Sequence, residues 1–266
     1  MTTPTNHTPA KFEFISNPFK SSFDGLSKLF KLNQTPAVVI MIIALFGGLL
    51  NSISSLPGSS TDSSTAPVDE NVSMTIVAII IAVALVIAVV ATVLGAIYTG
   101  VVNYVAWKTS RNESTDLGEA FEQTMKRFWR ILLIQIIVGF KIFFGFIFFI
   151  VPGIRAALRY QMVYITMFDE DLNTWKSMDR VKFLTKNHLM EVYGIYTVSQ
   201  LLFPIAILIQ MGGEAILYPQ LKHLKDNDLP KPPTHWLNYL GLLLMSLFLL
   251  FIAFILVIVA LVVSSN

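Results

Sequence analysis

Three basic side chains in the apolar middle of the chain are the residues most suited to chemistry. Lys141 stands midway along a phenylalanine-rich stretch, and Arg155 and Arg159 follow at a spacing that places both on one face of a helix. A base in the middle of a membrane costs about 2.5–3.5 kcal/mol on insertion scales, so its presence suggests a function. We predict that Lys141, Arg155 and Arg159 form a polar pocket that faces an anionic headgroup or solute.

The same bases also have a purely structural interpretation. Arg155 would extend to the outer surface of the membrane with its charged end in water, and Lys141 and Arg159 would be hydrogen-bonded inside the protein. Amide side chains in other apolar segments are the candidate partners: Asn103, Gln135, Gln161 and Gln200. At 1.5 Å per residue from a turn at Pro152, Lys141 and Arg159 differ in depth by about 7 Å, so both can line one pocket.

Hydrolytic or metal chemistry lacks the residues it needs in this sequence. The four histidines are scattered over separate polar segments, and the acidic residues 169–171 have no histidine beside them. Phosphate-binding, serine-nucleophile and zinc-protease motifs are absent. Without cysteine the chain has no disulfide, thiol nucleophile or thiolate metal site. We therefore predict a protein that is not an enzyme and that has no metal or cofactor.

The overall composition places these residues in a membrane. Of the 266 residues, 54% are apolar and 14% are charged, and the mean hydropathy is +0.65. Average soluble domains have roughly 25% charged residues. The formal net charge of +2 excludes a strongly basic nucleic-acid binder. Membrane lipids are the expected partner, and a second copy or another membrane protein is a further candidate.

The uncharged runs predict an all-α fold, a polytopic transmembrane helical bundle of about six spans with interfacial amphipathic helices. A bilayer core about 30 Å thick needs about 20 apolar residues per helix. Residues 1–35 are expected to be a cytoplasmic tail with one amphipathic helix and no cleaved signal, and residues 36–263 the transmembrane domain. Both termini are expected in the cytoplasm, and Tyr98, Tyr104 and Trp107 at the membrane interface. The predicted spans are residues 34–56, 72–106, 129–151, 153–169, 189–213 and 236–263.

Two segments leave the topology open. Residues 131–168 form either a helical hairpin about a type II turn at Pro152-Gly153 or one span and a loop. The hairpin places 13 loop bases inside and 3 outside, against 12 and 6 for the single pass. We favour the hairpin because cytoplasmic loops carry the excess of Lys and Arg. A further alternative bends residues 191–218 at Pro204 into a re-entrant pair, which places all loop bases inside.

Three basic amphipathic segments precede pairs of apolar runs. Residues 19–30, 117–129 and 175–184 have bulky apolar side chains at helical spacing and end in basic residues. This pattern favours helices that lie in the headgroup plane. We infer a unit of interfacial helix, span and span that is used three times, although any helix beside a bundle would have such an apolar stripe.

The middle of the chain resembles a known family. The segments that carry the resemblance are LGEAF at residues 117–121, RFWR at 127–130, IVPGIR at 150–155, and Arg180 followed by LTKNH at 184–188. Over residues 115–188 they are similar to the glycerophosphoryl diester phosphodiesterase membrane-domain family and related bacterial multi-span proteins, and Val181 and Asn187 depart from the family's pattern. The resemblance implies a polytopic membrane domain in the bacterial inner membrane, and it brings no established activity.

The missing catalytic clusters and the interfacial helices favour a multi-pass protein of the cell membrane without a catalytic site. Its expected role is that of a scaffold, a lipid-interacting protein or a component of envelope homeostasis. The alternative is a transporter or channel for a small anionic or amphiphilic solute, favoured by Lys141, Arg155, Arg159 and a helix broken at Pro204. A membrane enzyme acting on lipid phosphate is the least favoured class, because acid–base pairs are missing.

Overall fold

The computed structural model describes residues 14–54, 70–148, 150–202 and 205–264, and within these ranges every regular element is a helix. The all-α class is therefore confirmed. A 3-10 turn at Trp236–Tyr239 leads into the last helix. The α-helices are α1 Pro18–Leu32, α2 Gln34–Ser54, α3 Glu70–Ser110, α4 Leu117–Lys126, α5 Phe128–Phe148, α6 Ile150–Tyr160, α7 Val163–Glu170, α8 Thr174–Thr185, α9 Leu189–Leu201, α10 Ala206–Asp226 and α11 Leu240–Ser264.

Two or three candidate membrane spans are present among the described residues. Ala78–Ser110 in α3 and Phe128–Phe148 (α5) are each long and apolar enough to cross a bilayer. The pair formed by α1 and the start of α2, up to Leu45, qualifies together but is bent by 116°. These helices identify a membrane protein.

The long helix α3 has two halves with different surroundings. Aliphatic side chains between residues 79 and 94 are exposed on all sides of the helix, as expected where lipid surrounds it. In the other half, Tyr104 donates its hydroxyl to Glu119 Oε1 at 2.6 Å, and Trp107 donates Nε1–H to Asp169 Oδ1 at 3.0 Å. The two aromatic residues therefore pack against α4 and α7.

Helices α5 and α6 fold back on one another, but not through the predicted turn. Pro152 and Gly153 lie inside α6, and Gly153 does not have the positive φ that a type II turn requires. A Cβ on Gly145 would be 2.7 Å from Gly153 Cα, so these glycines let the two backbones approach closely. The predicted span 153–169 is wrong, because α6 and α7 are separate helices of 11 and 8 residues.

The predicted span 189–213 is also interrupted. Helix α9 ends at Leu201, α10 begins at Ala206, and a Cβ on Gly213 would be 2.5 Å from Ile195 Cγ2. The chain therefore reverses between α9 and α10, as the alternative with a bend predicts. Pro204, where that bend was placed, lies outside the described residues.

The segment between α10 and α11 lies beside loops that were predicted on the opposite side of the membrane. Lys222 pairs with Asp169, Arg180 with Asp226 at 2.6 Å, and Lys231 Nζ donates to the Asn187 carbonyl at 2.6 Å. The six-span arrangement places residues 214–235 outside and residues 170–188 inside, and these contacts contradict it. The reversal between α9 and α10 is the physical reason, because it returns the chain to the side from which α9 starts.

The bulky apolar side chains of the three amphipathic helices differ in their exposure. On α4 and just beyond it, Phe121, Met125 and Trp129 face outward. On α8 the predicted lipid-facing residues Met178, Val181 and Leu184 are instead buried in the protein, whereas Trp175 of the same stripe is exposed. On α1 the buried stripe consists mainly of small residues that pack against α10: Pro18, Ser21, Ser22, Gly25 and Leu29. A short helix followed by two further helices nevertheless occurs three times, beginning at α1, at α4 and at α8.

Candidate functional site

The structure places Lys141, Arg155 and Arg159 around one cavity of about 430 Å³, which we call the basic cavity. Its other lining residues are Pro152, Ala156 and Tyr160. The hairpin of α5 and α6 creates this arrangement, because it sets Lys141 on one helix opposite the two arginines on the other. No acidic residue of the described chain lines the basic cavity.

Lys141 is held by an aromatic residue and not by the amide side chains that the sequence suggested. Its Nζ donates to Tyr160 Oη at 3.2 Å and lies 4.9 Å from the centre of the same ring, which is a cation–π contact. On the neighbouring helix α8, Lys182 pairs with Asp179 at 2.8 Å. The Lys182 ammonium, and more weakly that of Lys141, holds the pKa of Asp179 below its ordinary value. Lys141 is therefore at the level of a charged helix and is not surrounded by lipid.

An apolar groove of about 310 Å³ adjoins the basic cavity, and Arg155 lines both. The amphipathic helix α6 separates the two spaces, because residues four apart lie on one helix face: Arg155 and Arg159 point to one side, Ile154 and Leu158 to the other. The apolar lining of the groove comes from α6, α9 and α11: Val151, Ile154, Leu158, Leu189, Met190 and Leu242.

A second polar space, which we call the inner cavity, lies on another side of Tyr160 and has a volume of about 280 Å³. Glu214 lines it and is only 4% exposed. The side-chain amides of Gln161 and Gln210 each donate to Glu214 Oε1 at 2.9 Å. The polar lining is contributed by α3, α6, α7, α10 and the residue that follows α6: Tyr98, Thr99, Asn103, Tyr160, Gln161, Tyr164, Gln210 and Glu214.

Sequence reasoning missed Glu214, because this residue only marked the end of an uncharged run. A signal was available: Glu214 lies between the apolar segments 205–213 and 215–218, where an acid on a helix needs a partner. The same reasoning named Gln161 as a partner for a buried base. The structure gives Gln161 to this buried acid instead.

The acidic residues 169–171 form a network of ion pairs and hydrogen bonds. Asp169 accepts hydrogen bonds from Trp107 and, on its other oxygen, from Tyr218 at 2.8 Å and from Lys222. Burial raises the pKa of Asp169, but the hydrogen bonds from Lys222, Trp107 and Tyr218 outweigh burial and hold it below its ordinary value. Among the described residues, no group of three His, Cys, Asp or Glu side chains is placed to hold a metal ion. Because Asp169 contacts Trp107 of α3 and both Tyr218 and Lys222 of α10, the network connects these two helices to α7.

Comparison with models of known families, with curated proteins and with solved structures gave no match to this chain.

Proposed function

We propose that this chain is a multi-pass membrane protein without a catalytic site that binds an anionic amphiphile, a phospholipid of the cytoplasmic leaflet, at α6. The observation that carries the proposal is that Arg155 lines both the basic cavity and the apolar groove. An anionic headgroup beside the three bases would have an apolar surface next to it for its acyl chain. Such binding suits a scaffold or an envelope-homeostasis role.

The charge of the basic cavity supports an anionic ligand. Three bases line it, and the nearby Asp179 on α8 is already paired with Lys182. Basic pockets between membrane helices on the cytoplasmic side are suited to anionic headgroups. Helix α8 belongs to the loops with excess Lys and Arg, which places the basic cavity toward the cytoplasmic leaflet.

A membrane topology follows from the helix order. We infer that α2, α3 and α11 cross the bilayer, while the pairs α5–α6 and α9–α10 enter it and return. Gly241 of α11 lies against Tyr193 and Thr197 of α9, and Leu244 shares a small cavity with Leu201. The two helices therefore run in the same direction, and α11 continues for 20 residues beyond Leu244, about 30 Å at 1.5 Å per residue. This topology replaces six full spans.

Lipid binding to the purified chain tests the proposed function. Binding of phosphatidylglycerol and of phosphatidylcholine is measured by native mass spectrometry of the full chain in detergent. We expect selective retention of phosphatidylglycerol, and about a tenfold loss of its affinity in Arg155→Ala and Arg159→Ala, since a charge-assisted hydrogen bond contributes about 1.5–3 kcal/mol. Lys176→Ala removes an exposed base of α8 that does not line the basic cavity, and it should bind like the wild type.

Lys141→Met separates a binding role from a structural one. If Lys141 contacts the anion, the variant expresses normally and binds phosphatidylglycerol more weakly. If the base is only structural, the substitution is neutral or stabilising, as replacing a buried charge by an apolar side chain often is. Equal phosphatidylglycerol binding by the wild type, Lys141→Met and Arg155→Ala would falsify the proposed site.

A transporter for a small anionic or amphiphilic solute is the second candidate function. The observation that favours it is that Tyr160 lines both the basic and the inner cavity, so one side chain separates two polar spaces. Uptake of a fluorescent anionic amphiphile into liposomes that contain the purified chain is the test. Uptake that depends on the protein and falls in Lys141→Met supports transport, and uptake no faster than in empty liposomes contradicts it.

A further inference from the structure

We propose that the inner cavity binds the ammonium group of a small organic solute, with Glu214 as its counter-ion. This site is separate from the proposed lipid site: it is lined by different charged residues, and Tyr160 stands between the two spaces. Three features of the lining favour a cation. They are a carboxyl group that has no basic side chain as its partner, a set of amide oxygens that accept hydrogen bonds, and several aromatic side chains.

The carboxylate of Glu214 lacks a cationic partner. No lysine, arginine or histidine of the described chain lines the inner cavity or pairs with Glu214. Both amide donors reach the same oxygen, Oε1, and no described side chain donates to Oε2. A buried carboxyl group is costly in its ionised form unless it is paired and hydrogen-bonded, so burial without a ligand favours the protonated acid. A cation in the cavity would supply the missing partner and stabilise the ionised form.

The three amide side chains of the lining present their carbonyl oxygens as acceptors. Gln161 and Gln210 both donate their amide nitrogens to Glu214 Oε1, so their carbonyl oxygens remain as acceptors. Asn103 is fixed in the same way, because its Nδ2 donates to the Thr99 carbonyl at 2.9 Å. The hydroxyl of Tyr98 is buried without a partner among the described residues. A primary ammonium has three N–H donors and needs such a set.

Aromatic rings and the cavity volume define the size and class of the ligand. Tyr98, Tyr160 and Tyr164 line the inner cavity, and ring faces attract cations. Tyr160 already does so toward Lys141. The volume of about 280 Å³ corresponds to about nine water molecules at roughly 30 Å³ each. A small amine fits this space, and a phospholipid headgroup with its chains does not.

Titration of the detergent-purified full chain with methylammonium chloride tests the site, with sodium chloride at equal ionic strength as the reference titration. We expect saturable binding in isothermal titration calorimetry that sodium does not reproduce. Glu214→Gln keeps the shape and the amide contacts and should lose at least tenfold in affinity. Glu122→Gln makes the same chemical change on the exposed face of α4 and should bind like the wild type.

Two further variants keep the outcome decisive. Tyr98→Phe removes only the unpartnered hydroxyl, so it reports on the cavity even if Glu214→Gln does not fold, and it should weaken methylammonium binding several-fold. Arg155→Ala should bind methylammonium normally while losing phosphatidylglycerol, which distinguishes failure of this site from failure of the lipid site. Absence of methylammonium binding to the wild type, equal binding of sodium, or undiminished binding to both Glu214→Gln and Tyr98→Phe overturns the proposal.

Discussion

At the scale of single residues, Asp169 connects more elements than any base that the sequence singled out. Its two carboxylate oxygens accept from Trp107 on α3 and from Tyr218 and Lys222 on α10, while the residue itself lies in the last turn of α7. The side chain is 11% exposed and that of Lys222 is 33% exposed, so the pair is partly shielded from water. A partly buried ion pair with several hydrogen bonds is costly to break, because the remaining charge keeps its burial without its partner.

Asp169→Asn is expected to lower the free energy of unfolding by about 2–3 kcal/mol, less than for a fully buried pair, because water reaches Lys222. The measurement is the unfolding midpoint in detergent, followed by circular dichroism. Asp171→Asn is the matched control: Asp171 pairs with Arg127 and Arg130 but is 66% exposed, so its loss should change the midpoint little. A midpoint in Asp169→Asn equal to that of the control would contradict the role given to this residue.

The same residue predicts a dependence of stability on pH. The pKa of Asp169 is held below its ordinary value of 3.8, so its stabilising effect is complete above that value. The effect is lost as the pH falls through the lower pKa of the folded state. The unfolding midpoint of the wild type should therefore drop on strong acidification, and Asp169→Asn should show a smaller drop. An identical drop in both proteins would assign the acid sensitivity to other carboxyl groups.

At this scale, the sequence could predict those contacts that arise from residues close together in the chain, but not those between distant segments. Arg155 and Arg159 share a face because of helical spacing, and the hairpin that brings Lys141 to them has a sequence signal in the charge of the loops. Glu214 meets Gln161 only because α10 packs beside the end of α6, and nothing in the spacing of the two residues indicates that contact.

At the scale of the elements, the glycines of α1 and α10 decide how closely these helices approach. A Cβ on Gly25 would overlap the backbone carbonyl of Gly212, and a Cβ on Gly212 would be 2.5 Å from the backbone nitrogen of Leu26. Small residues permit such backbone contact between helices. A hydropathy pattern shows the apolar stripe of α1 but not the small residues that permit close packing against another helix. The sequence therefore predicted that α1 lies on the membrane surface with its phenylalanines facing the lipid.

Gly25→Ala should therefore destabilise the fold by about 1–3 kcal/mol, since the overlapping atoms are backbone and a packed helix pair has to separate to admit a methyl group. The control is Gly139→Ala on α5, where an added Cβ meets nothing within 4 Å. That variant should unfold at the wild-type temperature or above it, because alanine favours a helix more than glycine does. Thermal unfolding of the two variants side by side provides the comparison, and equal midpoints would show that α1 and α10 are not in backbone contact.

Long apolar runs predicted helices correctly but divided them wrongly into spans. A run of apolar residues has the same composition whether lipid or protein surrounds it, and this is why the segments 153–169 and 189–213 were taken as single spans. The structure breaks both into shorter helices that pack in the protein core. The apolar stripe of α8 was assigned to lipid for the same reason, although α8 buries it among its neighbours.

At the scale of the whole molecule, the packed helices and the basic loops lie on one side, and lipid-exposed apolar helices extend from it. The ion pairs join α3, α7, α8 and α10 near Ser110, Glu170 and Asp226. The exposed half of α3 begins about 24 Å from Ser110, since 16 residues separate Leu94 from it. In the topology that we propose, the loop 222–231 lies on this same side and every basic loop segment is inside, which agrees better with the charge rule than six spans do.

Labelling from the two sides of the membrane tests this arrangement, and the chain is suited to it because it has no cysteine. Single cysteines at Thr115 and Asn227 are expected to react with an impermeant maleimide only from the cytoplasmic side, since the two segments belong to one set of ion-paired loops. A cysteine at Ser64, outside the described residues, should react from the opposite side. A cysteine at Ser264 should also react there, because α11 crosses the bilayer once after the α9–α10 reversal. Labelling of Asn227 together with Ser64 would restore the six-span topology, and cytoplasmic labelling at Ser264 would mean that α11 does not cross.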